Sequence, residues 1–107
     1  MSSRDIRRRY GQNYLKDPAI LFEMGEVICP NSSDKFIEIG PGLGALTNQI
    51  NRKDVNIVGI DIDANNIEEL KNKFKGPASF QFINEDILQF DLRTLDINQR
   101  IIGNLPY

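Results

Sequence analysis

The chain has 107 residues, of which 40% are hydrophobic, and its formal net charge is −2. This length suits one small domain, and no apolar run approaches the roughly 20 residues that a membrane-spanning helix needs. Because histidine is absent, His-dependent triads are excluded and we expect no metal site. The single cysteine, Cys29, excludes an internal disulfide and favours a reducing, cytoplasmic compartment, and its apolar neighbours predict a packed side chain.

A basic arm precedes the first predicted helix. Residues 1–16 have a local charge of +4, so the rest of the chain has a charge of −6. Such an arm can bind phosphates through Coulombic attraction and counterion release. The composition fits a solvated terminus equally well, so the arm by itself does not assign a nucleic acid partner.

Helices and strands are predicted to alternate along the rest of the chain. Asp17 and Pro18 are typical of a helix N-cap and first turn, and Pro30 ends that helix. Short apolar runs predict strands at 35–39, 56–60, 80–83 and 100–103. Helical spacing predicts helices at 45–50 and from about residue 63 to the stop at residue 76. This order indicates an α/β fold with a parallel sheet, whose ligands bind at the carboxyl ends of the strands.

A glycine turn follows the first strand, at residues 40–44. Glycines there let a ligand approach the backbone, and the next helix presents free N–H groups. Gly40, Gly42 and Ala45 fit the pattern G-x-G-x-x-G/A, which does not separate a nicotinamide cofactor from S-adenosylmethionine or from a tight turn without a ligand. Glu38, just before the turn, favours S-adenosylmethionine, because a carboxylate repels a pyrophosphate and attracts an ammonium or sulfonium group.

Acidic residues follow the second and third strands. Asp61 stands where a carboxylate can accept both ribose hydroxyls, and Asp86 stands where it can accept a hydrogen bond from an adenine amino group. Ile62 and Ile87 are placed to flank the adenine ring, whereas Asp63 is expected to cap the next helix. Each aspartate alone is equally well a loop residue. Their succession at strand ends indicates a cofactor site.

The last four residues, Asn104-Leu105-Pro106-Tyr107, form the most specific pattern. An adenine N6 lone pair is delocalised into the ring, so this nitrogen is a poor nucleophile. The Asn104 side-chain oxygen and the Leu105 carbonyl can accept hydrogen bonds from the N6 hydrogens, Pro106 fixes the turn, and Tyr107 offers a face on which an extruded base stacks. A methyl sulfonium is already activated, so orientation and desolvation suffice without a strong base. We predict these four residues to be catalytic, the alternative being a Pro-Tyr turn without a role.

Together these segments resemble the ribosomal RNA adenine N6-dimethyltransferases, in particular the small-subunit dimethyladenosine transferases. The match runs in order through residues 11–15, 38–47, 61–63, 84–88 and 104–107. The Gln-Asn-Tyr-Leu element is distinctive, because generic methyltransferases lack it, and the resemblance implies that it folds over the bound cofactor. The implied S-adenosylmethionine contacts are Asn13, Leu15, Gly40, Asp61, Asp86 and Asn104. Two departures are Asp61 and Tyr14, where the family more often has Glu and Phe.

The resemblance implies N6,N6-dimethylation of adjacent adenines near the 3′ end of small-subunit rRNA, in ribosome biogenesis, with the rRNA or the pre-ribosomal small subunit as partner and no membrane. The macrolide-resistance methyltransferases of large-subunit rRNA are one alternative, although they usually lack the run at residues 41–43 and tend to end in Asn-Ile-Pro-Tyr. A nicotinamide-dependent oxidoreductase has no use for residues 104–107. A non-catalytic RNA-binding assembly module would act through the arginine arm.

The resemblance also implies a division of the chain. Residues 1–16 are expected to be the arm with the cofactor-covering motif. Residues 17–107 are expected to be the first half of a Rossmann-like methyltransferase domain that is truncated after its fourth strand, since family members have further strands and a C-terminal helical domain. We expect this chain to bind S-adenosylmethionine weakly, to be inactive alone, and to self-associate through the exposed edge of the fourth strand.

Overall fold

The computed structural model describes residues 17–94 and 98–103, which form alternating helices and strands. The predicted α/β order is confirmed, with strand ends that differ from the prediction by one residue at most. The elements in chain order are α1 (Pro18–Ile28), β1 (Lys35–Ile39), α2 (Ala45–Gln49), β2 (Asn56–Asp61), α3 (Ala64–Lys73), β3 (Ser79–Asn84), a 3₁₀ turn (Leu92–Thr94) and β4 (Arg100–Gly103).

The described strands form a parallel sheet in the order β3-β2-β1-β4. The chain moves outward from β1 to β3 and then returns to the other side of β1, so the direction of winding reverses between β1 and β4. Open parallel sheets bind ligands outside the carboxyl ends of the strands at such a reversal. The loops after β1, β2 and β3, which the sequence singled out, therefore lie at the same end of the sheet.

Two apolar clusters hold the helices against one face of this sheet. Phe36, Ile57 and Phe80 lie side by side in register on β1, β2 and β3. The first cluster joins Phe36 and Ile57 to the C-terminal end of α2 and the loop that follows it, and the second lies under α3. Phe80 packs against both clusters, so the two are continuous. The buried members are Phe36, Ile50, Val55, Ile57 and Ala78 in the first cluster and Ile67, Leu70, Phe74 and Phe82 in the second.

Side-chain caps begin both longer helices where they were predicted. The Asp17 carboxylate accepts from the Ala19 N–H at 3.0 Å, with Pro18 in the first turn of α1. Asp63 caps α3 by accepting from the N–H groups of the two residues after Ala64. The prediction for Cys29 is wrong, because its side chain is exposed. Cys29 is the C-cap of α1 with φ 47°, and this left-handed turn directs the chain out of the helix before the sheet begins.

Arg100 joins the outer strand β4 to the end of α1. Its guanidinium lies 3.0 Å from the Asp34 carboxylate, donates to the Ile28 carbonyl and stands 4.9 Å from the centre of the Phe36 ring. The Ile28 carbonyl is one of the last in α1 and has no partner within the helix, so Arg100 supplies the missing donor. Within the described residues β4 pairs with β1 alone. The expected self-association through its outer edge stays a prediction.

The helices in the described ranges are all too short or too polar to cross a membrane. In the same ranges no three acidic or cysteine side chains come together as a metal site would require.

Candidate functional site

The glycine turn between β1 and α2 lies at the carboxyl edge of the sheet. Gly40, Gly42 and Gly44 have φ values of 66°, 60° and 88°, in the left-handed region that disfavours other residues. The Gly40 N–H donates to the Ile60 carbonyl at 2.8 Å, which ties the start of the turn to β2. The backbone itself therefore favours glycine at all three positions of the turn, and Gly42 and Gly44 differ in what surrounds them.

Gly44 is closed in by protein, whereas Gly42 faces open space. A Cβ on Gly44 would lie 2.4 Å from Phe74 Cε2 and 3.0 Å from Leu70 Cδ2, so this glycine lets α2 pack against α3. A Cβ on Gly42 would meet nothing within 4 Å. The partly exposed backbone at Gly42 is thus a place in the turn where the protein leaves room beside the chain.

Asp61 links this turn to the end of β2. Its side chain is 8% exposed, and its two carboxylate oxygens accept from the Gly42 N–H at 3.0 Å and the Asp63 N–H at 2.9 Å. An ionised carboxylate has about four acceptor positions, so two backbone donors leave positions for further donors. The predicted ribose acceptor therefore lies directly beside the open glycine, and it also holds the turn in place.

Asp86 lies on the neighbouring loop, after β3. Its Oδ1 accepts from the Leu88 N–H at 3.0 Å, which shapes the turn that follows, and no described residue donates to its other oxygen. Ile87 is half-buried, and Ile62, on the loop after β2, is 72% exposed. The two isoleucines that were expected to flank an adenine ring are thus on adjacent loops, and the exposed one has its side chain available for contact.

Asn84 connects these two loops, and sequence reasoning had not assigned it a role. Its amide nitrogen donates to the carbonyl oxygens of Asp61 and Ile62, both at 3.1 Å. Its position directly after the predicted third strand was the sequence signal that could have identified it, and the structure shows that it pairs with Asp61 in the register. Hydrogen bonds thus link the glycine turn to Asp61 and Asp61 to Asn84. The loops after β1, β2 and β3 are therefore connected at the carboxyl ends of the strands.

Glu38 is buried beneath this edge, at 2% exposure. Burial raises the pKa of its carboxyl group to about 7; the hydrogen bond from the Thr47 hydroxyl opposes this rise in pKa, and the negative charge of nearby Asp61 adds to it. Thr47 lies in α2 and is fully buried, and it too was missed by the sequence reasoning. A positively charged group bound near Glu38 would favour its ionised form.

The structure therefore brings together the glycine turn, Asp61 and the loop that carries Asp86. The other predicted contacts lie outside the described residues, and their assignment stays a prediction. They are Asn13 and Leu15 in the arm and Asn104, Leu105, Pro106 and Tyr107 after β4.

Comparison with solved structures places the fold among Rossmann-like methyltransferases. The chain superposes on a dimethyladenosine transferase from Plasmodium falciparum with a TM-score of 0.68 at 26% identity, covering 86% of this chain and 33% of that one. It also superposes on a cyclopropane synthase from Mycobacterium tuberculosis with a TM-score of 0.62, covering 79% and 30% of the two chains. The second likeness, at 20% identity, concerns the fold alone.

Comparison of sequences identifies the family. The chain is 37% identical over 103 residues to the ribosomal RNA small subunit methyltransferase A of Methylococcus capsulatus, covering 94% of this chain and 40% of the relative. It is 36% identical over 107 residues to the protein of the same name from Aromatoleum aromaticum, again covering 40% of the relative. The chain thus spans about 40% of the length of these relatives. The family model for ribosomal RNA adenine dimethylase matches residues 3–107, which confirms the resemblance, and the chain belongs to that family.

Proposed function

We propose that this chain forms the S-adenosylmethionine-binding part of an enzyme that dimethylates N6 of adjacent adenines near the 3′ end of small-subunit rRNA. One observation supports this most directly: the Gly42 N–H, in the open part of the glycine turn, donates to the buried Asp61 carboxylate at 3.0 Å. This contact lies in a chain that the dimethylase family model matches from residue 3 to residue 107. Both of the relatives described above are named as small-subunit rRNA methyltransferases.

The residues at the strand ends fit this cofactor. The open backbone at Gly42 leaves room for the methionine part, and Asp61 retains acceptor positions for ribose hydroxyls. Asp86 retains a carboxylate oxygen for an adenine amino group; it lies on the same loop as Ile87, and Ile62 lies on the adjacent loop. Glu38 is close enough to the turn for its charge to respond to a cation there. When bound, S-adenosylmethionine supplies a methyl group that its sulfonium has already activated.

The remaining residues act on the adenine. Asn104 and Leu105 accept hydrogen bonds from the N6 hydrogens and thereby free the nitrogen lone pair for attack. Pro106 holds these acceptors in place, and the Tyr107 ring stacks on the extruded base and excludes water. The basic arm at residues 1–16 covers the cofactor with Asn13 and Leu15 and attracts RNA phosphates, while residues 17–107 belong to the methyltransferase domain.

Binding calorimetry tests the cofactor assignment. We expect the chain to bind S-adenosylhomocysteine and not NAD, and we expect Asp86→Asn to weaken that binding by about tenfold. The asparagine can keep its oxygen on the Leu88 N–H, but it then presents an NH₂ group to the adenine amino group. Asp91→Asn, the same change at an exposed position of the same connection, is the matched control and should bind like the wild type. Preferential binding of NAD would refute the proposal in favour of an oxidoreductase.

A chimera tests the reaction and its substrate. In it, this chain replaces the segment of the Methylococcus capsulatus relative that aligns with it. We expect the chimera to form dimethyladenosine in small ribosomal subunits that lack it, and Asn104→Ala to lower the rate by about 100-fold or more, because an acceptor aimed at the reacting amino group is lost. Mass spectrometry of rRNA fragments locates the methyl groups.

Methylation of large-subunit rRNA would instead support the macrolide-resistance alternative. A non-catalytic module would be supported by two results together. The chimera would transfer no methyl group, and its RNA binding would be unchanged by Asp86→Ala and by Asn104→Ala.

A further inference from the structure

Asn84, the last residue of β3, holds the loop that follows β2. One NH₂ group donates both its hydrogens, at 3.1 Å each, to the successive carbonyls of Asp61 and Ile62. The Asp61 carbonyl also accepts from the Glu85 N–H at 3.0 Å, as the parallel pairing continues past the end of the strand. The backbone of the Asp61 loop is therefore fixed by the neighbouring segment at two successive peptide groups.

We propose that Asn84 is a positioning residue for the adenosine part of the cofactor, an inference that rests on the proposed function. Asn84 acts through two neighbours. It holds the peptide from which the Asp61 carboxylate reaches the glycine turn, and it holds the peptide that presents the Ile62 side chain at the rim of the site. Asn84 itself stands outside the group of residues that contact the cofactor.

Packing does not explain how the Ile62 side of this loop is held. Ile62 is 72% exposed, so its side chain has few apolar neighbours to restrain it. Asp61, by contrast, is anchored by its own two hydrogen bonds to backbone N–H groups. The peptide between Ile62 and Asp63 is held on its N–H side by the Asp61 carboxylate, within the loop itself, and on its carbonyl side by Asn84. Asn84 is thus the contact from a neighbouring strand that orients this peptide, and its loss would let the exposed isoleucine move away from an adenine ring.

The chemistry of this position requires an asparagine. Two donors must reach two successive carbonyls from a short, planar group, and the primary amide of asparagine supplies them. Serine has one donor, glutamine is longer by a methylene group, and an ionised aspartate has no donor and would repel both carbonyl oxygens. The Asn84 side chain is exposed and lies outside both apolar clusters, so its replacement leaves the core packing unchanged.

The affinity of the chain for S-adenosylhomocysteine tests the proposal. Calorimetry is carried out at a temperature where circular dichroism shows each variant to be folded. We expect Asn84→Asp to weaken binding by about tenfold and Asn84→Ser by a smaller factor, because serine has one donor in place of two and adds no repulsion. Asn72→Asp makes the same chemical change at an exposed position of α3 and should change the affinity less than about twofold. Wild-type affinity in folded Asn84→Asp and Asn84→Ser would overturn the proposal.

A double-mutant cycle with Ile62→Ala separates positioning from a general loss of stability. Ile62 is exposed, so its truncation leaves the fold intact. If Asn84 acts by placing Ile62, Asn84→Ser should weaken binding much less in the Ile62→Ala background than in the wild type. Equal losses in both backgrounds would show that Asn84 does not act through Ile62. That result would overturn the proposal, because the Asp61 carboxylate is already anchored by its own two hydrogen bonds. A wild-type chain that binds no S-adenosylhomocysteine would instead refute the proposed function.

Discussion

Replacement of Gly44 by alanine should lower the free energy of unfolding by about 2–5 kcal/mol, whereas the same change at Gly42 should cost only about 1–2 kcal/mol. Both glycines have positive φ, 88° and 60°, so both alanines suffer a backbone penalty, and the penalty is no smaller at Gly44, whose φ lies further from the left-handed minimum. Only at Gly44 does the added methyl group also collide with Phe74, at 2.4 Å, and with Leu70. Because the methyl group at Gly42 meets no protein atom within 4 Å, no packing cost is added there.

For the affinity toward the cofactor, Gly42→Ala should be the substitution with the clear effect. Gly42→Ala places a methyl group where we propose that S-adenosylmethionine approaches the backbone, so binding of S-adenosylhomocysteine should fall by about tenfold or more in a chain that remains folded. Urea denaturation gives the two stability losses and calorimetry gives the affinities. Equal stability losses at both positions would contradict the packing argument, and unchanged affinity in Gly42→Ala would contradict the proposed site.

Replacement of Glu38 by glutamine should remove a pH dependence of stability. The pKa of this carboxyl group rises from 4.5 to about 7 on folding, mainly because it is buried, so the folded chain binds the proton more tightly than the unfolded chain. The stability that follows from this protonation is fully present below pH 4.5 and is lost as the pH rises through about 7. The lost contribution amounts to about 3 kcal/mol.

Glutamine keeps an oxygen for the Thr47 hydroxyl and has no charge to bury. The free energy of unfolding of Glu38→Gln, relative to that of the wild type, should therefore increase by about 3 kcal/mol between pH 4.5 and pH 8. Urea denaturation at a series of pH values measures this difference. Glu69→Gln, at an exposed position of α3, provides the control and should follow the wild type at every pH. A difference for Glu38→Gln that stays constant with pH would show that Glu38 ionises normally in the folded chain.

Local chemistry accounts for the parts of the fold that were predicted correctly. Asp17 and Asp63 begin helices because a short carboxylate satisfies N–H groups within three residues, which is visible in sequence. The alternation of apolar strands and amphipathic helices likewise depends on neighbours in the chain, so the parallel α/β order could be derived. The glycine turn and Asp61 were placed at strand ends, and in a parallel sheet the strand ends meet at one edge.

Long-range contacts decided the rest. The sequence by itself determined the order of the elements, the strand-end position of the site and the family resemblance, because these depend on short segments. Only the tertiary structure shows that Asp61 holds Gly42, that Asn84 holds the Asp61 loop, and that burial beside Thr47 raises the pKa of Glu38. The residues in these three contacts are separated by 9 to 23 positions in the chain. Their distances and burial arise from the pairing and packing of whole elements, which no local pattern encodes.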